Sequence, residues 1–262
     1  MQTERIIEHI STWMRDYAGQ AGAKGFVVGI SGGIDSAVTS SLAARSGMHV
    51  LCVEMPIHQP KSQVSRAWEH IRRLEDQFEN VRSLTFDITP VFDRFVDSLP
   101  PIEDPEAHER SLVNARARLR MTTLYYFAQL YGYLVAGTGN KVEDFGIGFF
   151  TKYGDGGVDL SPIADLMKTE VYQLGKAMNV PESILSAKPT DGLWGDDRSD
   201  EDQIGASYPE LEWAMKAQAK GKTASDFSGR EKEVFEIFER MHRANKHKMV
   251  PIPVCEIPED LK

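Results

Sequence analysis

The sequence is short of three things, and each shortage excludes a class of protein. Only two cysteines, Cys52 and Cys255, occur in 262 residues, too few and too far apart for a disulfide framework or a zinc site. Cys52 stands in an apolar run, where a free thiol serves as a small packing residue. Long apolar runs are missing too: none approaches the roughly 20 residues of a membrane span. The opening Met1-Gln2-Thr3-Glu4-Arg5-Ile6-Ile7 lacks the charged-then-apolar layout of a signal peptide, so a cytoplasmic protein is expected. Basic charge is the third shortage. Against 39 Asp and Glu stand 30 Lys and Arg, a net charge of −9, which opposes non-specific binding to nucleic acid. Small anions stay open as ligands, because a local nest of backbone N–H groups can outweigh an acidic field.

What the sequence does contain is an alternation of two periodicities. Ile6, Ile7, Ile10, Trp13, Met14 and Tyr17 fall at helical spacing within 4–18. The run Gly25-Phe26-Val27-Val28-Gly29-Ile30 then reads as a buried strand, with a helical stretch at 35–45 after it. Further strands are expected at 49–55, 81–88 and 133–138, with helices at 61–78 and 106–131. Later helices are expected at 165–178, 208–219 and 229–246, before a proline-rich extended tail. This order predicts an α/β protein with an open, mostly parallel sheet flanked by helices. A single domain over 1–262 is expected, with flexible loops near 145–157 and 192–205, the first glycine-rich and the second acidic.

The strongest local signal is Gly29-Ile30-Ser31-Gly32-Gly33-Ile34-Asp35-Ser36, between the first strand and the next helix. Glycines let the backbone approach an anion, and a helix N-terminus offers free N–H groups with partial positive charge. Asp35 would repel a phosphate unless a cation such as Mg2+ lay between them. The turn is not a Walker A loop, since no Lys-Ser or Lys-Thr follows the glycines, and it lacks G-x-G-x-x-G spacing. The alternative reading is a capped turn in which Asp35 and Ser36 only satisfy backbone N–H groups.

The segment Ser31-Gly32-Gly33-Ile34-Asp35-Ser36 resembles the pyrophosphate loop of the N-type ATP pyrophosphatases. These enzymes split ATP into AMP and pyrophosphate while activating a carboxylate or carbonyl oxygen. Further along, Gly148-Phe149-Phe150-Thr151-Lys152-Tyr153-Gly154-Asp155-Gly156-Gly157, followed by Asp159, is similar to the signature of the NAD synthetase family. The resemblance runs from the Gly29 turn to His247-Lys248 and implies a Rossmann-like sheet of the adenine nucleotide alpha hydrolase type. It implies an ATP-dependent amidation of deamido-NAD through an acyl-adenylate, with Mg2+ as cofactor.

Carried over residue by residue, the resemblance implies ATP contacts from the 29–36 turn, Thr138, Lys168 and Thr190. Asp35 and Glu143 would hold Mg2+; a plain helix N-terminal carboxylate is the alternative for Glu143. Deamido-NAD would meet Asn114, Arg118, Lys152, Asp159, His247 and Lys248, while Asp35, Lys168 and Lys152 would serve catalysis. Free ammonia is the expected nitrogen donor, unless a separate amidase subunit supplies it, since only 24 residues precede the first strand and neither cysteine has a catalytic setting. A homodimer is implied as well. One departure stands out. Many bacterial members carry Thr-Asp-His-Ala-Ala-Glu where this chain has Thr138-Gly139-Asn140-Lys141-Val142-Glu143, and here one extra residue precedes the Phe-Phe pair. Asp202 stands where some members have a threonine near the metal, and its role is open. A tRNA-thiolating or GMP-synthetase-like acceptor conflicts with the acidic charge and short C-terminal region. A nucleotide-binding module of the universal-stress type would not need both Asp35 and Glu143.

Overall fold

The computed structural model describes residues 1–59, 61–190 and 199–262. Four strands, β1 (Gly25–Gly29), β2 (His49–Glu54), β3 (Val81–Thr85) and β4 (Leu134–Val135), form one sheet in the order β3-β2-β1-β4. Every pairing is parallel. The chain therefore steps from β1 to β2 to β3 in one direction, then returns to the other side of β1. That reversal lies at the carboxyl end of β1, where open α/β sheets form their ligand crevice.

Helices cover both faces, which is why the strands are continuous apolar runs rather than alternating ones. On one side lie α1 (Thr3–Gln20), α2 (Ile34–Arg45), α3 (Lys61–Gln77) and, later in the chain, α6 (Lys168–Ala177). They bury Ile7, Met14, Val38, Leu42, Ile71 and Leu174 against Phe26, Val28 and Cys52. Burial pushes the Cys52 thiol up to about 12, as expected of an inert packing residue. On the other side α4 (Thr89–Asp97) and α5 (Pro105–Tyr131) place Phe92 and Phe127 over Val27, Leu51 and Val53. The short α7 (Glu182–Leu185) and α8 (Asp200–Ile204) precede α9 (Tyr208–Ala219) and α10 (Gly229–Met249). The last three build a separate core around Leu211, Phe235 and Phe238, beside a π-helical turn at Val142–Ile147. No helix among the described residues is long and apolar enough to cross a membrane.

The sequence periodicities meet their helices closely, and three differences have local causes. The third strand ends at Thr85 rather than 88 because Asp87 Oδ1 accepts from Thr89 N at 2.9 Å, turning the chain into α4. That helix was not anticipated. The fourth strand shrinks to two residues, with Ala136 bridged to Leu160. The 165–178 helix begins only at Lys168, where Glu170 Oε2 accepts from Met167 N at 2.8 Å. Of the 192–205 loop, 192–198 lie outside the described residues, and Ser199 caps α8 by accepting from Asp202 N at 3.1 Å.

One buried pair fixes α3 to α2. Ser40 Oγ donates to Ser36 O at 2.7 Å and lies 2.9 Å from His70 Nε2, so Nε2 carries the imidazole proton. The ring is 1% exposed, and burial, reinforced by Arg73, lowers its pKa to about 4. An unfolded histidine takes a proton below about 6.5, whereas the folded one resists until about 4. Stability should thus be complete above pH 6.5 and fall by up to about 3 kcal/mol between pH 6.5 and 4. Denaturant titrations across that range check this; His70→Gln, which keeps a donor for Ser40, should flatten the slope.

Candidate active site

A cavity of about 480 Å³ opens at the carboxyl ends of β1, β2 and β4, and the whole 29–36 turn lines it. β1 holds its register one residue further through Ile30 N, which donates to Val53 O at 2.9 Å. The chain then bends at Gly32, with φ at +80° and no room for a Cβ, which would stand 2.6 Å from Gln63 O. Only glycine fits there. Ser36 Oγ donates to Gly33 O at 3.0 Å and accepts from Ser31 N at 3.2 Å, so the two serines order the turn before any ligand arrives. Arg66 on α3 adds a guanidinium, its Nε 3.3 Å from Gly32 O.

The charged centre lies beside this turn. Lys168, the first residue of α6, places Nζ 2.6 Å from Asp35 Oδ2 and 2.9 Å from Glu143 Oε1. Burial alone would lower the lysine pKa, but the two carboxylates override it and hold the ammonium above its ordinary range. Burial likewise pushes Asp35 upward, against the pull of Lys168. Asn140, wholly buried, donates from Nδ2 to Asp35 Oδ1 at 3.2 Å. Its Oδ1 accepts from Val142 N and Glu143 N, so one amide both orients Asp35 and caps the π-helical turn that carries Glu143. Tyr208 OH donates to Glu143 Oε1 at 2.5 Å, and Lys168 Nζ sits 4.7 Å from the centre of its ring.

More acids surround this centre than cations. Burial, then repulsion from Glu143, Asp155 and Asp35, pushes Asp144 up to about 8. Asp155 is raised to about 6, by desolvation first and then by Glu143, although the residue is exposed and lines the cavity. Burial is the larger cause of both shifts, and the neighbouring carboxylates add negative potential to it. That potential and the hard oxygen donors of Asp35 and Glu143 fit a Mg2+ ion, which takes one or two carboxylates and completes its shell with phosphate and water oxygens. No set of three potential ligands converges among the described residues, and Lys168 stands between the two carboxylates. Phosphate oxygens would have to supply the rest of the shell.

The sequence-derived residues divide into three groups. Asn114, Thr138, Glu143, Lys168, Thr190 and Lys248 line the same cavity as the turn. Lys248 Nζ donates to Gly148 O and Phe150 O, at 2.9 and 2.8 Å, and Asn114 Oδ1 accepts from Thr151 Oγ1 at 2.6 Å. Arg118, Lys152 and His247 form a second group outside the cavity lining: Lys152 O accepts from Arg118 at 3.3 Å and Lys152 Nζ donates to His247 O at 2.8 Å. Asp159 stands apart, its carboxylate accepting from Val135 N at 2.8 Å and Tyr125 OH at 3.0 Å. Asp202 is occupied by Ser199, its Oδ2 accepting from the hydroxyl at 2.6 Å. Sequence reasoning missed Asn140, Asp144 and Tyr208, since none belongs to a motif that announces its long-range partner.

Removing the cation should expose how the centre is balanced. Lys168→Met should lower stability by about 3–5 kcal/mol, because two buried carboxylates lose their partner. Adding Asp35→Asn should restore part of that loss. Chemical denaturation of the two variants beside the parent measures both changes.

The profile of the NAD synthase family matches residues 6–251. The NH(3)-dependent NAD(+) synthetase of Methanosarcina mazei is 37% identical over 263 residues, covering 98% of this chain and all of the relative. Among solved structures, an NMN synthetase from Francisella tularensis superposes with a TM-score of 0.82 at 32% identity, over 99% of both chains. An NH3-dependent NAD synthetase from Campylobacter jejuni gives 0.77 at 25% identity, over 98% of this chain and 100% of that one. The matched span contains the turn, the Asp35–Lys168–Glu143 centre and the glycine loop after it, and on that footing the chain belongs to the NAD synthase family.

Proposed function

We propose that the chain amidates the nicotinate carboxylate of deamido-NAD with ammonia, using ATP and releasing AMP and pyrophosphate. The observation that carries this is one cavity holding a phosphate-type turn, a buried ammonium between two carboxylates, and a second arm reaching Asn114 and Lys248. A carboxylate cannot expel oxide, so it must first gain a better leaving group. The nicotinate oxygen attacks the α-phosphorus of ATP and pyrophosphate leaves; ammonia then attacks the acyl-adenylate carbonyl, and AMP leaves with the bonding pair. The ammonia nitrogen loses a proton in that second step. Asp155, with its raised pKa and its access to the cavity, is placed to take it.

The 29–36 turn, with Thr138 and Thr190, positions the ATP phosphates, and Lys168 supplies positive charge as pyrophosphate departs. Asp35 and Glu143 would hold Mg2+, which neutralises phosphate charge when bound. Asn114 and Lys248 position the acceptor, with Arg118, Lys152, Asp159 and His247 serving its more distant parts. The 145–157 segment lines the cavity through Phe149, Phe150, Thr151 and Asp155 and would exclude water from the adenylate within one catalytic domain. A cytoplasmic location belongs to the same reading.

A homodimer is part of this reading. Phe86, Val91, Phe95, Tyr126, Leu130 and Tyr131 are exposed on and beside α4 and α5, with Phe127 joining Phe86 to Tyr126 through ring contacts. An apolar surface of this kind suits a second copy of the chain. Tyr126→Glu with Leu130→Glu should convert the dimer to monomer in light scattering.

Purified protein with ATP, Mg2+, deamido-NAD and ammonium should form NAD, weakly or not at all when glutamine replaces ammonium. Lys168→Ala should lower turnover by about 10²–10³, as for loss of a charge-stabilising donor. The likeness to the Francisella NMN synthetase favours a second acceptor, the nicotinate mononucleotide, and its kcat/KM beside that of deamido-NAD decides between them. Pyrophosphate release without either product would move the reaction to another carboxylate; no ATP turnover would refute the reading.

A further inference from the structure

The two carboxylates beside Lys168 share their hydrogen bonds unevenly. Asp35 has both oxygens engaged: Oδ2 accepts from Lys168 Nζ at 2.6 Å and Oδ1 from Asn140 Nδ2 at 3.2 Å. Glu143 has only one. Its Oε1 accepts twice, from Lys168 Nζ at 2.9 Å and from Tyr208 OH at 2.5 Å. Its Oε2 accepts from none of the described residues and is not sealed away, and the residue lines the cavity. One defined oxygen is thus left for a ligand.

The tyrosine behind this asymmetry is itself fixed from several sides. Tyr208 opens α9, and its backbone N donates to Glu201 Oε1 at 2.8 Å, while Ser207 N just before it donates to Glu210 Oε2 at 2.8 Å. The residue is 3% exposed and belongs to the core around Leu211, with the centre of its ring 4.7 Å from Lys168 Nζ. A phenol has one proton to give. Asp200 Oδ2, at 3.3 Å, competes for it from further away, so the Glu143 bond takes it. The end of a glutamate side chain otherwise turns over a broad, roughly two-fold torsion. With two donors on Oε1, the carboxylate can bring that oxygen round to the cavity only by breaking both bonds.

We infer that Tyr208 is a positioning residue for the divalent cation, acting through Glu143: its hydroxyl turns the carboxylate so that Oε2 is the oxygen offered. This rests on the Mg2+ reading given above. Groups that orient a metal-binding side chain contribute about 10- to 100-fold to metal affinity. Without the hydroxyl, Lys168 alone holds Oε1, and the carboxylate loses its fixed direction.

Mn2+ takes the same octahedral oxygen shell as Mg2+, and the paramagnetic resonance signal of the free ion reports its binding without turnover. The full-length protein with α,β-methylene ATP is titrated with Mn2+ as the parent, Tyr208→Phe, Glu143→Gln and the double variant. Tyr208→Phe, which keeps the ring and its packing, should weaken Mn2+ binding by about 10- to 100-fold. Placed on Glu143→Gln, itself weaker than the parent, it should cause no further loss, because the group it acts through is already altered. Thermal melts establish that the variants fold. A tyrosine that only fills the core would weaken both backgrounds by the same factor. That result, or parent-like Mn2+ binding by Tyr208→Phe, overturns the inference. If the parent binds no Mn2+, or Glu143→Gln binds it as the parent does, the Mg2+ reading itself fails and the role of Tyr208 falls with it.

Discussion

Everything at the centre depends on one ammonium placed where a helix does not want it. Lys168 opens α6, and the N-terminus of a helix carries partial positive charge that disfavours a cation. Burial adds a second penalty. Asp35 and Glu143 offset both, and they can do so only if three distant segments are held in register. Asn140 ties Asp35 to the turn carrying Glu143. Glu212 on α9, itself buried, accepts from Thr169 N at 2.8 Å and Thr169 Oγ1 at 2.7 Å and so anchors the start of α6. The arrangement is a closed set of polar partners around a strained charge, which is the kind of network that rigidifies a site.

The two apolar cores divide the labour. The sheet and its helices place the turn and Asp35, while α8, α9 and α10 pack separately and deliver Tyr208 and Lys248. The π-helical turn packs into the second core through Val142 and Ile147, while its Glu143 reaches Lys168 at the start of α6. A change in how the second core packs would therefore be felt at Glu143 and Lys248 rather than at the phosphate-type turn.

Much of the fold was legible in the sequence because its signals are local. Apolar strands bounded by glycine and helices at 3.6-residue spacing state their own conformation, and the 29–36 turn declares itself by following one and opening the other. The site was only partly legible. Lys168 and Glu143 came from family resemblance, since residues 25 positions apart carry no mark of contact in their spacing. Asn140 and Tyr208 had no such help: an asparagine before a helical turn reads as an ordinary cap, and a tyrosine at Tyr208 as the start of a helix. The α4 helix was hidden because the strand pattern ran on past Thr85, and only the Asp87 turn shows where it stops.

The π-helical turn at Val142–Ile147 bears on how this region changes length. By the family resemblance, the chain carries one residue more than the common bacterial pattern before the Phe149-Phe150 pair. A π-turn is an α-turn with one residue more in each hydrogen-bonded ring, and here Glu143 O accepts from Gly148 N to close it. The added residue is wound into the helix rather than extruded as a bulging loop. An added residue that would otherwise shift the glycine loop along the chain can thus be absorbed within a single turn.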